Sequence, residues 1–225
     1  MHDATEQVSD QPDWSHRQIA YYRARAAEYD SAYDERLPMP QLAKALDELP
    51  ISGDVLEFAC GTGQWTQLLV GRARTLTALD SAPEMLRIAR ARMRGTATRF
   101  IEADIFSWEP DRPYDTVFFA FWLSHVPPVE MEAFWALSRW ALAPGGCVVF
   151  LDDSLAKAEF EEPVAEAQVP TVRRRLADGS QHLTVKVLHD APSLTSQLND
   201  LGWEAHIEPI DAYHLAGIAR PRESE

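Results

Sequence analysis

Apolar residues recur along this chain in two periods, and the two periods alternate. Short apolar runs at 54–58, 75–79, 98–102, 114–120 and 147–152 have the length of strands. Between them lie helical patterns: about 64–70, a second opening at Ser81 as N-cap with Pro83 and Glu84 in its first turn, and a third over 129–142 that stops before Pro144-Gly145-Gly146. Alternation of this kind predicts a parallel sheet covered on both faces. Beyond residue 152 the pattern changes. Segments 171–176 and 181–188 flank Ala177-Asp178-Gly179 and read as a hairpin, 192–201 as a helix, and 203–211 with 213–219 as a terminal strand pair. Upstream, residues 1–13 read as loose. A helix over 14–34 brings Tyr22, Ala26, Tyr29 and Tyr33 to one face, and a second covers 41–49 after Pro38 and Pro40.

The chemistry concentrates where the first strand ends. Residues 55–63 read Val-Leu-Glu-Phe-Ala-Cys-Gly-Thr-Gly, an apolar strand followed by a turn of small residues. Gly61 and Gly63 allow close backbone approach to a ligand and φ values that a Cβ disfavours. Asp80 ends the second strand, where an acid can accept both hydroxyls of a ribose. A dinucleotide site would place a third glycine where Thr66 stands. Glu57 would repel a pyrophosphate and suits a cationic ligand instead. S-adenosylmethionine, with a ribose, an ammonium and a sulfonium but no phosphate, fits both acids. The pattern E-x-A-x-G-T-G resembles motif I of the class I S-adenosylmethionine-dependent methyltransferases.

Composition narrows the partners. The 225 residues are 46% hydrophobic, enough for one α/β domain, and carry a formal net charge of −14. A nucleic acid would be repelled by such a surface. The arginines at 87, 90, 92, 94 and 99 read as the wet face of a helix. Cys60 and Cys147 are the two cysteines, one in the glycine turn and one in a strand, so a disulfide framework is not expected and a reducing cytoplasm is. Neither a membrane-spanning apolar run nor the apolar core of a signal peptide is apparent. No metal site is expected.

The resemblance extends further. The runs 21–30 (Tyr-Tyr-Arg-Ala-Arg-Ala-Ala-Glu-Tyr-Asp), 77–80, 117–127 (Val-Phe-Phe-Ala-Phe-Trp-Leu-Ser-His-Val-Pro), 132–135 and 172–179 (Val-Arg-Arg-Arg-Leu-Ala-Asp-Gly) are similar to bacterial small-molecule O-methyltransferases of the phosphonate type. That resemblance implies a Rossmann-like, seven-stranded, mostly parallel sheet whose last strand is antiparallel. The chain then divides as one domain, 1–225: a helical lid over 14–50, a cofactor-binding core over 51–152, a hairpin flap over 170–188, and a closing helix and strand pair over 191–220. It implies that Glu57, Ala59, Gly61 and Gly63 surround the methionine end of the cofactor, Asp80 with neighbouring Ser81 the ribose, Asp104 with Ile105 the adenine, and Phe119 and Ala120 the methionine moiety. Ala59 departs from the glycine many relatives carry. The product is S-adenosylhomocysteine, the acceptor a small molecule, and relatives often pair as homodimers through lid or hairpin.

Four residues are candidates for the acceptor. His125 follows the fourth strand, where it would take a proton, hydrogen-bond an anion, or order the Val126-Pro127-Pro128 turn. A three-residue hairpin loop with Gly179 in the left-handed region puts Val172, Arg174, Leu176, His182, Thr184 and Lys186 on one face. Arg174 and Lys186 then form a paired cationic site for a phosphonate or carboxylate, or simply belong to a solvated edge. Tyr29 would shield the sulfonium from the lid, or merely pack it. The expected activity is O-methylation of a small anion. A neutral amine, thiol or phenol acceptor, and a non-catalytic binding scaffold, stand as alternatives.

Overall fold

In a computed structural model of the protein, residues 13–31, 39–165 and 167–223 are described. Among the described residues, six α-helices and nine strands carry the architecture, beside a short helical stretch at 29–31. The helices are α1 (Asp13–Arg25), α2 (Met39–Asp47), α3 (Thr66–Leu69), α4 (Pro83–Arg92), α5 (Met131–Ala141) and α6 (Ala191–Asp200). The strands are β1 (Asp54–Phe58), β2 (Thr75–Asp80), β3 (Arg99–Glu102), β4 (Tyr114–Ala120), β5 (Leu142–Asp153), β6 (Thr171–Arg175), β7 (Gln181–Val185), β8 (Trp203–Pro209) and β9 (His214–Pro221). Seven strands form one sheet in the order β3-β2-β1-β4-β5-β9-β8. The pairs among β1 to β5 are parallel, and the final strand β9 runs antiparallel to both neighbours. This is the Rossmann-like sheet with a reversed last strand that the resemblance implies.

The central strands read as continuous apolar runs because both their faces are covered. Neighbours on β4 therefore serve different cores. Phe118 packs with Val55, Trp65, Val149 and α2, while Phe119 joins Phe58, Phe134, Trp135 and Trp203 on the other side. Phe119 stacks on Phe150 at 5.3 Å and 11°. Room for the Phe150 ring comes from Gly217 on β9, directly opposite, where a Cβ would stand 2.1 Å from a ring carbon.

Several boundaries differ from the expectations, each for a local reason. α1 ends at Arg25, and a turn at 26–28 precedes a second helical stretch at 29–31. Tyr22, Ala26 and Tyr29 thus do not share one helix face, although they pack together around Met85; Tyr33 and Asp34, like residues 1–12, lie outside the described residues. The helix after the glycine turn is one turn long, because 64–65 are still turning. The N-cap of α4 is Ala82 rather than Ser81. The Asp80 carboxylate does the capping, accepting from the Ala82 backbone N–H at 2.8 Å. β5 starts early because Leu142 pairs with Tyr114 before a register shift brings Cys147 opposite Thr116.

The hairpin stands apart as a two-stranded sheet. Arg174 opposes His182 and Val172 opposes Thr184, the register of a three-residue loop. Leu176 and Ser180 close that loop, and Gly179 has φ +85°. No helix among the described residues is long and apolar enough to cross a membrane.

Candidate active site

The carboxyl ends of the first four parallel strands, covered by α1, line a narrow cavity. The turn after β1 contributes Ala59 and Gly61, and β2 contributes Asp80 with Ser81. Asp104 and Ile105 follow β3, and Ala120, Phe121 and Trp122 follow β4. From the lid come Gln18, Tyr22 and Tyr29. As packed, α1 leaves about 60 Å³ there. Ligand sites usually need roughly 300–1,000 Å³, so the lid side chains as packed here fill most of the space a nucleoside would take.

The backbone bends sharply at both strand ends. Ala59 and Phe121 hold φ of 50° and 55°, and Gly61 φ of 55°. A left-handed conformation costs a side-chain-bearing residue roughly 1–3 kcal/mol and concentrates at functional sites. Asp80 braces the first bend. Its Oδ2 accepts from the Gly61 N–H at 2.8 Å while its Oδ1 accepts from Ala82. Burial raises the Asp80 carboxyl to about 6, against the opposing pull of those backbone N–H groups. Asp104 caps the turn after β3 by accepting from the Phe106 N–H at 3.0 Å, and its other oxygen accepts from Ser15 on α1 at 3.3 Å. Asp30 latches the lid to the glycine turn through Thr62, Gln64 and Arg92.

Three expected cofactor contacts lie elsewhere. Glu57 is 1% exposed and its Oε2 accepts from Thr66 Oγ1 at 2.6 Å, beneath the turn rather than in the cavity. Gly63 also stays out. A Cβ there would meet Ala89 of α4 at 3.1 Å, so its smallness serves helix packing. Phe119 faces the aromatic core, because alternation along β4 directs it away from the strand tip. Phe121 and Trp122, one and two residues beyond β4, line the cavity instead.

Burial pushes the Glu57 carboxyl from 4.5 up to about 8, the Thr66 hydrogen bond opposing. The folded chain then binds that proton more tightly than the unfolded chain does. Its stabilisation is complete below about pH 4.5 and lost as pH rises to about 8. Asp80 and Asp152 rise only to about 6, while His125 and His189, held below the ordinary histidine value of 6.5 by burial, add stability as pH rises through that value, so the slope from about pH 7 to 8 belongs to Glu57. Unfolding free energy from urea titrations should fall from about pH 7 to pH 8, and Glu57→Gln should flatten that fall.

A second cavity of about 660 Å³ opens between lid, hairpin and β5. It shares Tyr22, Tyr29 and Phe121 with the first. All four acceptor candidates, His125, Tyr29, Arg174 and Lys186, line it. Arg174 and Lys186 are not bare cations. Arg174 forms a two-pronged pair with Glu161, and Lys186 Nζ donates to Asp153 Oδ2 at 2.6 Å and to Ser124 Oγ at 2.9 Å. His125 is fully engaged. Its Nδ1 lies 2.7 Å from the Val185 carbonyl, which can only accept, so Nδ1 carries the proton. Its Nε2, 2.9 Å from the Tyr22 hydroxyl, accepts in turn. Burial first, and then the Lys186 cation, hold this ring well below the ordinary histidine range. Tyr22, Glu161 and Asp153 were not among the predicted site residues. Tyr22 alone had a signal, its place on the aromatic face of the lid pattern.

The first cavity suits S-adenosylmethionine. Gly61 leaves open space where a Cβ would stand, its nearest neighbour there being Tyr29 at 3.9 Å. Each Asp80 oxygen has accepting capacity beyond its one backbone bond.

Comparison with known proteins agrees. A model of the methyltransferase domain matches residues 55–146. The structure of a DhpI–SAM–HEP complex superposes with a TM-score of 0.82 at 39% identity, covering 94% of this chain and 99% of DhpI. A trans-aconitate 2-methyltransferase of Methylobacterium nodulans is 34% identical over 160 residues, 68% of this chain and 58% of that protein. A malonyl-[acyl-carrier protein] O-methyltransferase of a Paenibacillus species is 33% identical over 150 residues, 59% of this chain and 52% of that protein. The chain spans about half the length of the curated relatives it matches. With a structural match over 94% of the chain at 39% identity, and with Asp80 and the glycine turn on the expected strand ends, the chain belongs to the class I S-adenosylmethionine-dependent methyltransferases.

Proposed function

We propose that this protein methylates an oxygen of a small anionic molecule, a carboxylate or a phosphonate. The observation that carries this reading is the charge of the larger cavity. Six basic side chains line it against four carboxylates, an excess of two positive charges. The chain as a whole carries −14. A concave surface of local positive sign attracts anions. The relatives support the reading: one is named for trans-aconitate, a carboxylate, and another for O-methylation.

S-adenosylmethionine, when bound, supplies a methyl group on positive sulfur that an oxygen lone pair can take without further activation. The chain's own task is to hold the acceptor in line and to exclude water, and positioning of that kind contributes roughly 7–11 kcal/mol. An ionised acceptor oxygen carries no proton, so no general base is required. The engagement of His125 is consistent with this, since both its ring nitrogens are occupied within the protein and its effect passes through Tyr22. Arg174 keeps donors beyond those Glu161 takes, for a guanidinium has five. Arg25 forms no ion pair with a carboxylate among the described residues, its Nη1 donating to the Tyr21 hydroxyl at 2.8 Å. It lies over Tyr21 and Tyr29 at 5.6 and 5.0 Å, which places an uncompensated cation on the lid beside the acceptor cavity.

The test is methyl transfer from labelled S-adenosylmethionine to a panel of phosphonates, carboxylates and phenols. Anionic acceptors should be methylated. Arg174→Ala should raise their KM about tenfold, the effect of losing one charged hydrogen bond, and leave affinity for S-adenosylhomocysteine unchanged. Preference for a phenol, or an equal KM rise for neutral acceptors, would overturn the anionic reading. Cofactor binding without transfer to any acceptor would point to a scaffold.

A further inference from the structure

Among the described residues, two buried polar atoms in the cofactor cavity have no hydrogen-bond partner. Gln18 is 3% exposed, and its Oε1 is unbonded. Trp122 Nε1 is likewise buried and unbonded. Both residues line the same cavity. Leaving such a group without a partner forfeits the hydrogen bond it made with water, and proteins rarely do so without a reason. The two are also complementary in kind: an amide oxygen only accepts, and an indole N–H only donates.

Their neighbours locate them in the cavity. Gln18 lies one turn beyond Ser15 on α1, and Ser15 donates to Asp104. The Trp122 ring lies 6.3 Å from that of Phe106, which in turn meets Trp14 at 5.7 Å. Both therefore belong to the end of the cavity built by Asp104 and Phe106, beyond the Asp80 at the tip of β2. In an S-adenosyl nucleoside whose ribose sits at Asp80, that end faces the base. The Gln18 amide cannot simply turn over, because its Nε2 donates to the His125 carbonyl at 3.4 Å. The oxygen is thus presented as an acceptor.

We infer that Gln18 and Trp122 read the nucleobase of the cofactor, Gln18 Oε1 accepting from the exocyclic amine of adenine and Trp122 Nε1 donating to a ring nitrogen. This rests on the first cavity being the cofactor site. The lid would then check the base as it closes, and a base with an oxygen in place of the amine would set two acceptors against each other at Gln18.

Calorimetric titration of S-adenosylhomocysteine and its inosyl counterpart tests the assignment without relying on turnover. The wild-type protein should prefer the adenosyl ligand by at least about tenfold, the worth of one matched hydrogen bond against an unpaired group. Gln18→Leu should lose most of that preference by weakening the adenosyl ligand alone. Trp122→Phe should weaken the adenosyl ligand by about three- to tenfold. The Trp122 contact can also be cut from the ligand side: among 1-deaza, 3-deaza and 7-deaza S-adenosylhomocysteines, wild-type protein should disfavour one and Trp122→Phe should not. Equal losses for both ligands in Gln18→Leu, or deaza analogues that all bind alike, would overturn the inference. Failure of wild-type protein to bind S-adenosylhomocysteine at all would instead sink the cofactor site itself.

Discussion

Lys186→Met should lower the thermal midpoint by about 10 °C. Breaking a buried ion pair by removing one partner costs roughly 3–5 kcal/mol, and for a chain of this size each kcal/mol moves the midpoint by roughly 2–4 °C. The Lys186 side chain is 3% exposed, and its ammonium sits against Asp153 and Ser124. Asp152 lies next door, 1% exposed, with its carboxylate accepting from the backbone N–H groups of Ser124 and Asp153. Without the lysine, the Asp153 carboxylate keeps only Lys157 at 4.0 Å and His214 at 3.9 Å, and the buried Asp152 loses the cation that opposes its desolvation. The double variant Lys186→Met/Asp153→Asn should recover most of the loss, because it removes the stranded charge together with its partner. Calorimetric melting of the single and double variants checks this. A single variant that melts within about 2 °C of wild type would show that the pair is not buried as described.

Asp80→Ala should weaken binding of S-adenosylhomocysteine by at least about a hundredfold. Hydrogen bonds to a charged group contribute roughly 1.5–3 kcal/mol each, and the substitution removes two kinds at once. The carboxylate holds the Gly61 and Ala82 N–H groups, which set the shape of the glycine turn, and its remaining lone pairs are the acceptors proposed for the ribose. Asp80→Asn separates these roles. It keeps the side-chain volume and one accepting oxygen, so the turn should survive better than the affinity. Unchanged affinity in both variants would refute the ribose assignment.

The strands of the core were legible in the sequence because each central strand is buried on both faces and reads as an unbroken apolar run. The hairpin register was legible for another local reason. A three-residue loop with glycine at its left-handed position admits one pairing, and Arg174 opposite His182 follows from it. The lid was harder to read. Tyr22, Ala26 and Tyr29 suit a single helix, yet the chain turns at 26–28 and packs the same side chains from two segments. Gln18 could have been found as the residue one turn before Tyr22, although a glutamine among polar neighbours carries no signal of its own. Glu161 and Asp153 were invisible as partners, lying 13 and 33 residues from the cations they meet.

By itself the sequence determined the alternation of strands and helices, the glycine turn, and the acid at the tip of β2. Each of these is written in local periodicity or in the backbone needs of a single residue. Tertiary structure alone decided which side chains face the cavity and with what charge. It turned Glu57 under the turn beside Thr66, sent Phe119 to the core, and set a carboxylate against each of Arg174 and Lys186. The reason is physical: a buried charge or a core aromatic is placed by whatever else packs within a few ångströms, and those neighbours come from distant parts of the chain.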